Sequence, residues 1–388
     1  MKYLLLGAGI QGTAIAFDLL EHAPDTGGVT IVDIRERAVE RLEPRFNDPR
    51  LRCVQGDVSD EAFLRPLIEA CDVVVSAVNY WHNHDLARAA IEGGKHFIDL
   101  GGNNDIVARE LELDGHARER GVTVIPDCGL SPGLTCILGY HLVDQLDTCD
   151  ALRLRAGGLP VQPRPPLDYQ LEFSVPGLLN EYIEPALVVR DGRARTVPSL
   201  SELETVHFPA PYGELEAFQT SGGTSTLPRT LEGRVRHLDY KTIRYRGHCD
   251  HLRLLYGLGM FSSTEIETDA GSFKPRHVLE TLLERTLPTE GDDVVLVLIE
   301  ADGTAGGEPV QRSLRIIAGN DRRHALSAMA RMTGYPASII AQMLARGDIA
   351  APGAHPQELV VPADRLLAEL ERRGVEVERW DGAASVEV

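Results

Sequence analysis

Lys2-Tyr3-Leu4-Leu5-Leu6-Gly7-Ala8-Gly9-Ile10-Gln11-Gly12 passes from an apolar run through a glycine-spaced turn into the amphipathic stretch Ile10 to Glu21. A second apolar run, Val29 to Val32, then ends on Asp33. A G-x-G-x-x-G turn between a strand and a helix is the dinucleotide-binding fingerprint, and this setting makes it far more specific than glycine spacing alone. Gly7 allows the tight turn, Gly9 lets the backbone approach a pyrophosphate, and Gly12 lets helix and strand pack closely. The helix start adds unpaired N–H groups and a partial positive charge. Asp33 follows about 20 residues after the glycines, where a carboxylate accepts both ribose hydroxyls of NAD and repels a 2′-phosphate. Arg35 and Arg37 lie just beyond it, and an Arg there can serve NADP. NAD is therefore the expected cofactor, with NADP left open.

Outward from this turn, the first third alternates between strand and helix patterns. Leu51 to Gln55, Asp72 to Ala77, His96 to Asp99 and Thr123 to Ile125 read as strands. Helical spacing covers Arg35 to Arg45, the stretch from Asp60, about His84 to Glu92, and a polar helix from about Asp105 to Arg120. That order predicts a doubly wound parallel sheet, an α/β Rossmann domain with right-handed crossovers. Ligands meet such sheets at the strand exits. The expected cofactor residues are thus Gly7, Gly9, Ile10, Gln11, Gly12, Asp33 and Arg35, joined by Asp57, Val58, Val78, Asn79, Tyr80 and His82. His82, His84 and Asp85 lack a standard ligand spacing, and no metal site is expected.

The exit Asp127-Cys128-Gly129-Leu130-Ser131-Pro132-Gly133 lies where a nicotinamide ring would be expected. Asp127 could hold a substrate ammonium, move a proton, or cap the following helix. Ser131 is read as that helix's N-cap and Pro132 as its first residue, with the helix running to about Leu146. Cys128 has no evident basic partner and reads as packing.

Near Asp150 the pattern changes to β-branched and aromatic runs. Ala186 to Arg190 and Arg193 to Val197 flank Asp191-Gly192, a hairpin turn, and Val294 to Glu300 with Ser313 to Ala318 resemble another antiparallel pair. Helices are expected at Gly177 to Ile183, His248 to Tyr256 and Pro275 to Thr286. The tail reads as helix from Arg322 to Arg346, broken at Gly334-Tyr335-Pro336, and again from Pro362 to Arg373. Three regions follow: a Rossmann domain over 1–135, an inserted α+β domain of mostly antiparallel sheet over 136–320 for substrate and dimerisation, and C-terminal helices over 321–388 packing back on the first domain.

With 43% hydrophobic and 25% charged residues the composition is that of a globular protein. A net charge of −19 argues against nucleic acid and anionic membranes as partners. No apolar run reaches the length of a membrane span, and the chain enters its first strand without a charged leader, so a cytoplasmic location is expected. Cys53, Cys71, Cys128, Cys136, Cys149 and Cys249 form no C-x-x-C pair and read as reduced thiols.

In the middle region, Lys241-Thr242-Ile243-Arg244-Tyr245-Arg246-Gly247-His248 is the densest basic segment. Strand alternation puts Thr242, Arg244 and Arg246 on one face and Lys241, Ile243 and Tyr245 on the other. Such a cluster could bind a substrate carboxylate, or be a solvated strand. His248 could shuttle protons or cap the next helix. Asn180, Glu181 and Tyr182 are further cleft candidates.

Taken together these motifs resemble the saccharopine dehydrogenase superfamily, most closely its lysine 6-dehydrogenase members. The resemblance runs from the glycine turn through Asn79-Tyr80 with Asn83, Gly94-Lys95-His96-Phe97-Ile98-Asp99 and Asp127 to Gly133. It continues in Gly157-Gly158-Leu159-Pro160, Pro165-Pro166-Leu167-Asp168-Tyr169, Lys241 to His248 and Met329 to Pro336. It implies a Rossmann domain completed by C-terminal helices, an inserted catalytic domain, a small amino-acid substrate, and a homo-oligomer, dimer or larger. One departure is informative. Members handling a glutamate adduct tend to carry an Arg in the helix after the Phe-Ser strand, and Phe173-Ser174-Val175-Pro176-Gly177-Leu178-Leu179-Asn180 has none.

The expectation is NAD-dependent oxidative deamination of the lysine ε-amine, giving ammonia and a semialdehyde that cyclises. Asp127, Lys241 and His248 are its candidate catalytic residues, with Lys241 also offered to the α-carboxylate. Arg244, Tyr182 and Asn180 are candidate substrate-binding residues. Two alternatives remain: imine reduction of the saccharopine, opine or carboxynorspermidine dehydrogenase type, and a non-catalytic NAD-binding sensor.

Overall fold

A computed structural model describes residues 1–269 and 271–382, so the end of the expected C-terminal region, 383–388, lies outside the described residues. The chain divides into two compact units. Among the described residues the first comprises 1–144, 225–230 and 330–377, and the second 145–224, 231–329 and 378–382.

The first unit is a parallel sheet of β1 (Lys2–Leu6), β2 (Gly28–Asp33), β3 (Leu51–Gln55), β4 (Val73–Ser76), β5 (His96–Asp99) and β6 (Thr123–Ile125). Its spatial order is β6-β5-β4-β1-β2-β3, which reverses direction between β1 and β4. That reversal opens the crevice where doubly wound sheets take their ligands. The four residues of β4 are all buried valines and serine, as a central strand covered on both faces requires. Beyond β6 the sheet gains Gly353–Ala354, a two-residue parallel strand too short to leave a periodic trace in the sequence.

Several local expectations give way here. The polar helix from Asp105 to Arg120 is two helices, Asn104–Leu111 and Asp114–Arg120. Ser131 does not cap a helix begun by Pro132. The Ser131–Pro132 peptide is cis, Gly133 has φ +128°, and the helix is Leu134–Asp144. The carbonyls of Gly129 and Leu130 accept the N–H groups of Leu134 and Thr135 instead. In the tail, the helix Ala328–Arg346 runs straight through Pro336. Gly334 sits against Ala14, where a Cβ would come within 2.8 Å of the Ala14 Cβ.

The second unit is built on a nine-stranded sheet. Val235–Arg244 runs parallel to Thr148–Pro160 and antiparallel to Gly213–Gln219. Thr148–Pro160 and Glu308–Gly319 are each antiparallel to Asp293–Ala305. The hairpin Ala186–Arg190 and Arg193–Val197 turns at Asp191 and Gly192, both at positive φ, as a two-residue primed turn demands. One face carries Leu167, Tyr169, Leu178, Tyr182, Phe218 and Leu252 under the helices Val175–Ile183 and His248–Gly257. Leu159, Phe208, Leu215, Ile243 and Leu296 pack together in a separate cluster. No helix among the described residues is long and apolar enough to cross a membrane.

Candidate functional site

In the first unit, the sequence places three glycines where any side chain would collide with either the fold or a ligand. Gly7 has φ +105°, and a Cβ there would lie 2.5 Å from the Ala77 carbonyl oxygen at the end of β4. At Gly12 a Cβ would lie 1.9 Å from the Gly7 carbonyl oxygen. A Cβ on Gly9 would meet nothing within 4 Å, so this glycine leaves room rather than relieving a clash. The helix Ile10–Glu21 that follows has no acidic residue in its first turn to occupy its N–H groups. A cavity of about 520 Å³ is lined by Gly7, Gly9, Asp33, Arg35, Asp57, Val58, Val78, Asn79 and His82. These features fit a dinucleotide, with the pyrophosphate over Gly9 and the adenosine ribose at Asp33. Ile10 stands exposed at the rim, Gln11 Oε1 is buried without a partner, and Tyr80 packs beside Gly102.

Asp33 is spoken for by the protein. Its Oδ2 accepts the Ala8 N–H at 2.8 Å, and Oδ1 accepts the Arg35 N–H at 2.9 Å. The Arg35 guanidinium adds a bidentate pair at 3.0 Å on each oxygen. Burial works against the charge, but these donors outweigh it and hold the carboxyl below its ordinary range. Ribose hydroxyls reach Asp33 only where Arg35 swings away, and its side chain is 65% exposed and free to do so. His84 contacts Asp85 and Arg109.

At the exits of β5 and β6 lies a group of buried acids. Asp127 has φ +63°, is 1% exposed, and accepts the Ser225 hydroxyl on Oδ2, while Oδ1 has no partner. Its N–H donates to Asp99 Oδ1 at 3.1 Å. Burial, then the nearby Asp99 charge, pushes the Asp127 carboxyl well above the carboxylate range, which favours its protonated form. It does not cap the Leu134–Asp144 helix. Glu358 accepts the hydroxyls of Thr226 and Thr230 close by. Cys128 is fully buried, and burial with the surrounding carboxylates pushes its thiol far up, which rules out a thiolate nucleophile.

In the second unit, Arg244 ends its strand with its guanidinium over the Tyr169 ring, 4.9 Å from the centroid. Its Nη1 donates to the Ile243 carbonyl at 2.9 Å and its Nε to the Tyr182 hydroxyl at 3.3 Å. Tyr182 contacts His248 Nε2 at 3.0 Å, and His248 Nδ1 lies 3.0 Å from the Leu167 carbonyl. A carbonyl can only accept, so Nδ1 carries the proton and Nε2 accepts from Tyr182. Burial, then the Arg244 charge, lowers the imidazole to about 3. His248 therefore orients Tyr182 and Arg244 and is no proton shuttle near neutral pH, a correction to its expected role. Glu172 shares this face: burial and Asp293 raise it to about 8, and Arg244 pulls against them.

Lys241 is not brought to Arg244. The two lie on opposite faces of one strand, as their odd spacing dictates. Lys241 Nζ is bound to Glu204 at 2.5 Å, and Arg155 bridges the same Glu204 to Asp239 at 2.5 and 2.7 Å. A neutralised lysine in that cluster supports the sheet and shares no carboxylate with Arg244. Asn180 is occupied by Arg276, which donates to its Oδ1 at 2.7 Å. Glu172, Glu110 and Ser225 escaped the sequence reading, while Asp99 and Tyr169 entered it only within the family-like stretches Gly94 to Asp99 and Pro165 to Tyr169, with no role attached.

Residues 3–125 match the saccharopine dehydrogenase NADP binding domain, and 129–375 match the saccharopine dehydrogenase C-terminal domain. The chain belongs to the saccharopine dehydrogenase family. Its first unit is the family's NAD(P)-binding Rossmann domain. Saccharopine dehydrogenase (NADP+, L-glutamate-forming) of Pyricularia oryzae is 23% identical over 271 residues, covering 68% of this chain and 59% of the relative. The mitochondrial alpha-aminoadipic semialdehyde synthase of Mus musculus is 23% identical over 429 residues, 91% of this chain and 45% of the relative. The chain thus spans about half the length of these curated relatives. Among solved structures, apo saccharopine dehydrogenase (L-Glu forming) from Saccharomyces cerevisiae shares the fold at TM-score 0.80 and 20% identity, over 98% of this chain and all of that one. Homospermidine synthase from Legionella pneumophila, solved with NAD, does so at TM-score 0.68 and 12% identity, over 98% and 91%.

Proposed function

We propose that this protein is an NAD(P)-dependent oxidoreductase acting on the C–N bond of an amino acid, and that its substrate is L-lysine, deaminated at the ε-amine. The observation that carries the substrate class is the state of Arg244. Among the described buried cations of the second unit, Arg155 and Lys241 are paired with carboxylates, while Arg244 is held only by rings, a hydroxyl and a carbonyl. A buried guanidinium with no carboxylate in hydrogen-bond contact, and with only the buried acids Glu181 and Glu172 acting on it, is suited to receive a substrate carboxylate. One such receptor suits a substrate with a single carboxylate better than saccharopine, which carries several. Glu172 on the same face supplies a carboxyl for the α-ammonium.

Bound NAD(P)+ would accept hydride from the carbon bearing the amine. The chain's own contribution is positioning and proton supply. Arg244 and Glu172 hold the α-carbon end of the amino acid. Asp127, whose proton affinity burial raises, donates to the nitrogen as water adds to the imine and ammonia departs, and the water's proton restores it. The product semialdehyde closes on its α-amine.

The relatives' names favour a second reading, formation or cleavage of a saccharopine-type secondary amine. Incubating the protein with NAD+ or NADP+ and a panel of lysine, saccharopine, ornithine and other opines, while following reduced nicotinamide absorbance, separates the two. Turnover with lysine and release of ammonia is the expected result. Turnover with saccharopine and none with lysine overturns the substrate, and cofactor binding without any turnover favours a sensor.

A further inference from the structure

We propose that Ser225 is a positioning residue for Asp127, carried to it by a strap, residues 225–230, that Glu358 anchors. This rests on the reading of Asp127 as the group that serves the reacting nitrogen. In sequence the strap lies between the strands Gly213–Gln219 and Val235–Arg244 of the second unit, yet it packs within the first.

Asp127 lies two residues beyond β6, and its side chain is buried. Its N–H donates to Asp99 Oδ1 at 3.1 Å, which fixes the backbone but not the carboxyl. A carboxyl turns about its Cβ–Cγ bond with only a broad preference. Among the described residues, the Ser225 hydroxyl donated to Oδ2 is the hydrogen bond that holds the plane of this one. Oδ1 is left without a partner and lies against Gly101, where a Cβ would come within 1.9 Å of it. Glycine at 101 gives that oxygen its place, and Ser225 decides that Oδ1 is the one left unpaired. A buried carboxyl oxygen without a protein partner is the one a substrate nitrogen can use.

Both ends of the contact lie in the left-handed region, Asp127 at φ +63° and Ser225 at φ +43°. A non-glycine residue adopts that conformation at a cost, and keeps it where its surroundings over-determine it. For Ser225 those surroundings are the strap. Leu227–Thr230 makes a single helical turn, in which the Thr226 carbonyl accepts the N–H groups of Arg229 at 2.9 Å and Thr230 at 3.1 Å. The turn brings Thr226 and Thr230, four residues apart, to one side. Both hydroxyls donate to Glu358, Thr226 to Oε1 at 2.9 Å and Oε2 at 3.0 Å, and Thr230 to Oε1 at 2.7 Å. Glu358 is 3% exposed, and Leu227 between the two threonines is wholly buried. Ser225-Thr226-Leu227-Pro228-Arg229-Thr230 thus directs each of its three hydroxyls to a buried carboxyl of the same unit.

Ser225→Gly and Ser225→Ala in the full chain separate the hydroxyl from the backbone. Glycine is at ease at positive φ and alanine is not, so Ser225→Gly should melt no lower than Ser225→Ala. Both should nonetheless lose kcat by at least about tenfold with the amino acid that turns over, with KM within about threefold of wild type. A kcat that follows the melting temperature and recovers in Ser225→Gly overturns the role of the hydroxyl. A second readout needs no turnover. In nuclear magnetic resonance of the chain with isotope-labelled aspartate carboxyls, the Asp127 carbon signal, assigned by its loss in Asp127→Asn, should move in Ser225→Gly. It should move also in Thr226→Val, where trypsin should cut after the exposed Arg229 faster than in wild type. An Asp127 signal unmoved in Ser225→Gly overturns the positioning, whether or not any amino acid turns over. Unaltered cleavage at Arg229 in a folded Thr226→Val overturns the anchor. Absence of turnover with every amino acid would defeat the functional reading, while the Asp127 signal still reports on Ser225.

Discussion

Arg244 illustrates how one side chain acquires a role from what surrounds it. Tyr169 supports its flat face, the Tyr182 hydroxyl accepts a hydrogen bond from its Nε, and His248 fixes Tyr182. Arg244→Lys keeps the charge but loses the planar fork and the ring stacking. It is expected to lower kcat/KM for the amino acid by about 100-fold, mostly through KM, since about 2–3 kcal/mol of charge-assisted hydrogen bonding is lost. An unchanged KM would remove Arg244 from substrate recognition. His248 gives a prediction in pH. Its folded value near 3 lies below the ordinary 6.5, so the unfolded chain takes up the proton first. The stability that neutral His248 supports is complete above about pH 6.5 and is lost as pH falls toward 3, at up to about 1.4 kcal/mol per unit. Relative to His248→Gln, wild type should weaken across that window in urea melts followed from pH 7 to 4. Arg35 gives a third. Arg35→Ala frees Asp33 to bind ribose and removes a cation for a 2′-phosphate, so the ratio of NADP to NAD affinity should fall at least about tenfold in calorimetry.

The glycine turn separates two kinds of constraint within one element. Gly12→Ala forces a Cβ into the Gly7 carbonyl and should lower both the melting temperature and dinucleotide affinity. Gly9→Ala meets no protein atom, so the fold should melt where wild type does while NAD(P) affinity falls, because only the pyrophosphate needs that space. Equal loss of stability in both variants would contradict the assignment. The strand Val235–Arg244 shows what periodicity can and cannot say. Alternation put Lys241 and Arg244 on opposite faces. Which face meets carboxylates of the protein depended on Glu204 and Asp239, residues from other parts of the chain. The tail helix was read as broken because Pro336 removes a hydrogen bond. The helix nonetheless continues through it, with Gly334 packed on Ala14, a contact that nothing local to the sequence announces.

Over the whole first unit, the N-terminal helix and the tail are joined by a buried ion pair. Arg373 clamps Asp18 at 2.5 and 3.0 Å, with Gln342 donating to the same carboxylate, and both charged side chains are almost wholly buried. Arg373→Met strands the Asp18 charge and should cost about 3–5 kcal/mol, read as a lowered urea midpoint, while adding Asp18→Asn should recover part of it. Because that pair ties the cofactor helix to residues more than 300 positions away, NAD(P) binding should also raise the melting temperature of the intact chain in proportion to the logarithm of its concentration.

The Rossmann order, the hairpin at Asp191-Gly192, the cofactor turn and the family were legible in the chain. Each depends on short-range spacing: glycine at fixed offsets, apolar periods of two and of 3.6, and turn residues beside their strands. The acids around Asp127, the neutral His248, the occupied Lys241 and the aromatic partners of Arg244 were not. Their protonation and partners come from groups tens or hundreds of residues apart, made close only by folding, and from burial that raises the cost of every unpaired charge. Spacing carries backbone geometry, whereas the chemistry of a site is set by the dielectric and the neighbours that the packed molecule supplies.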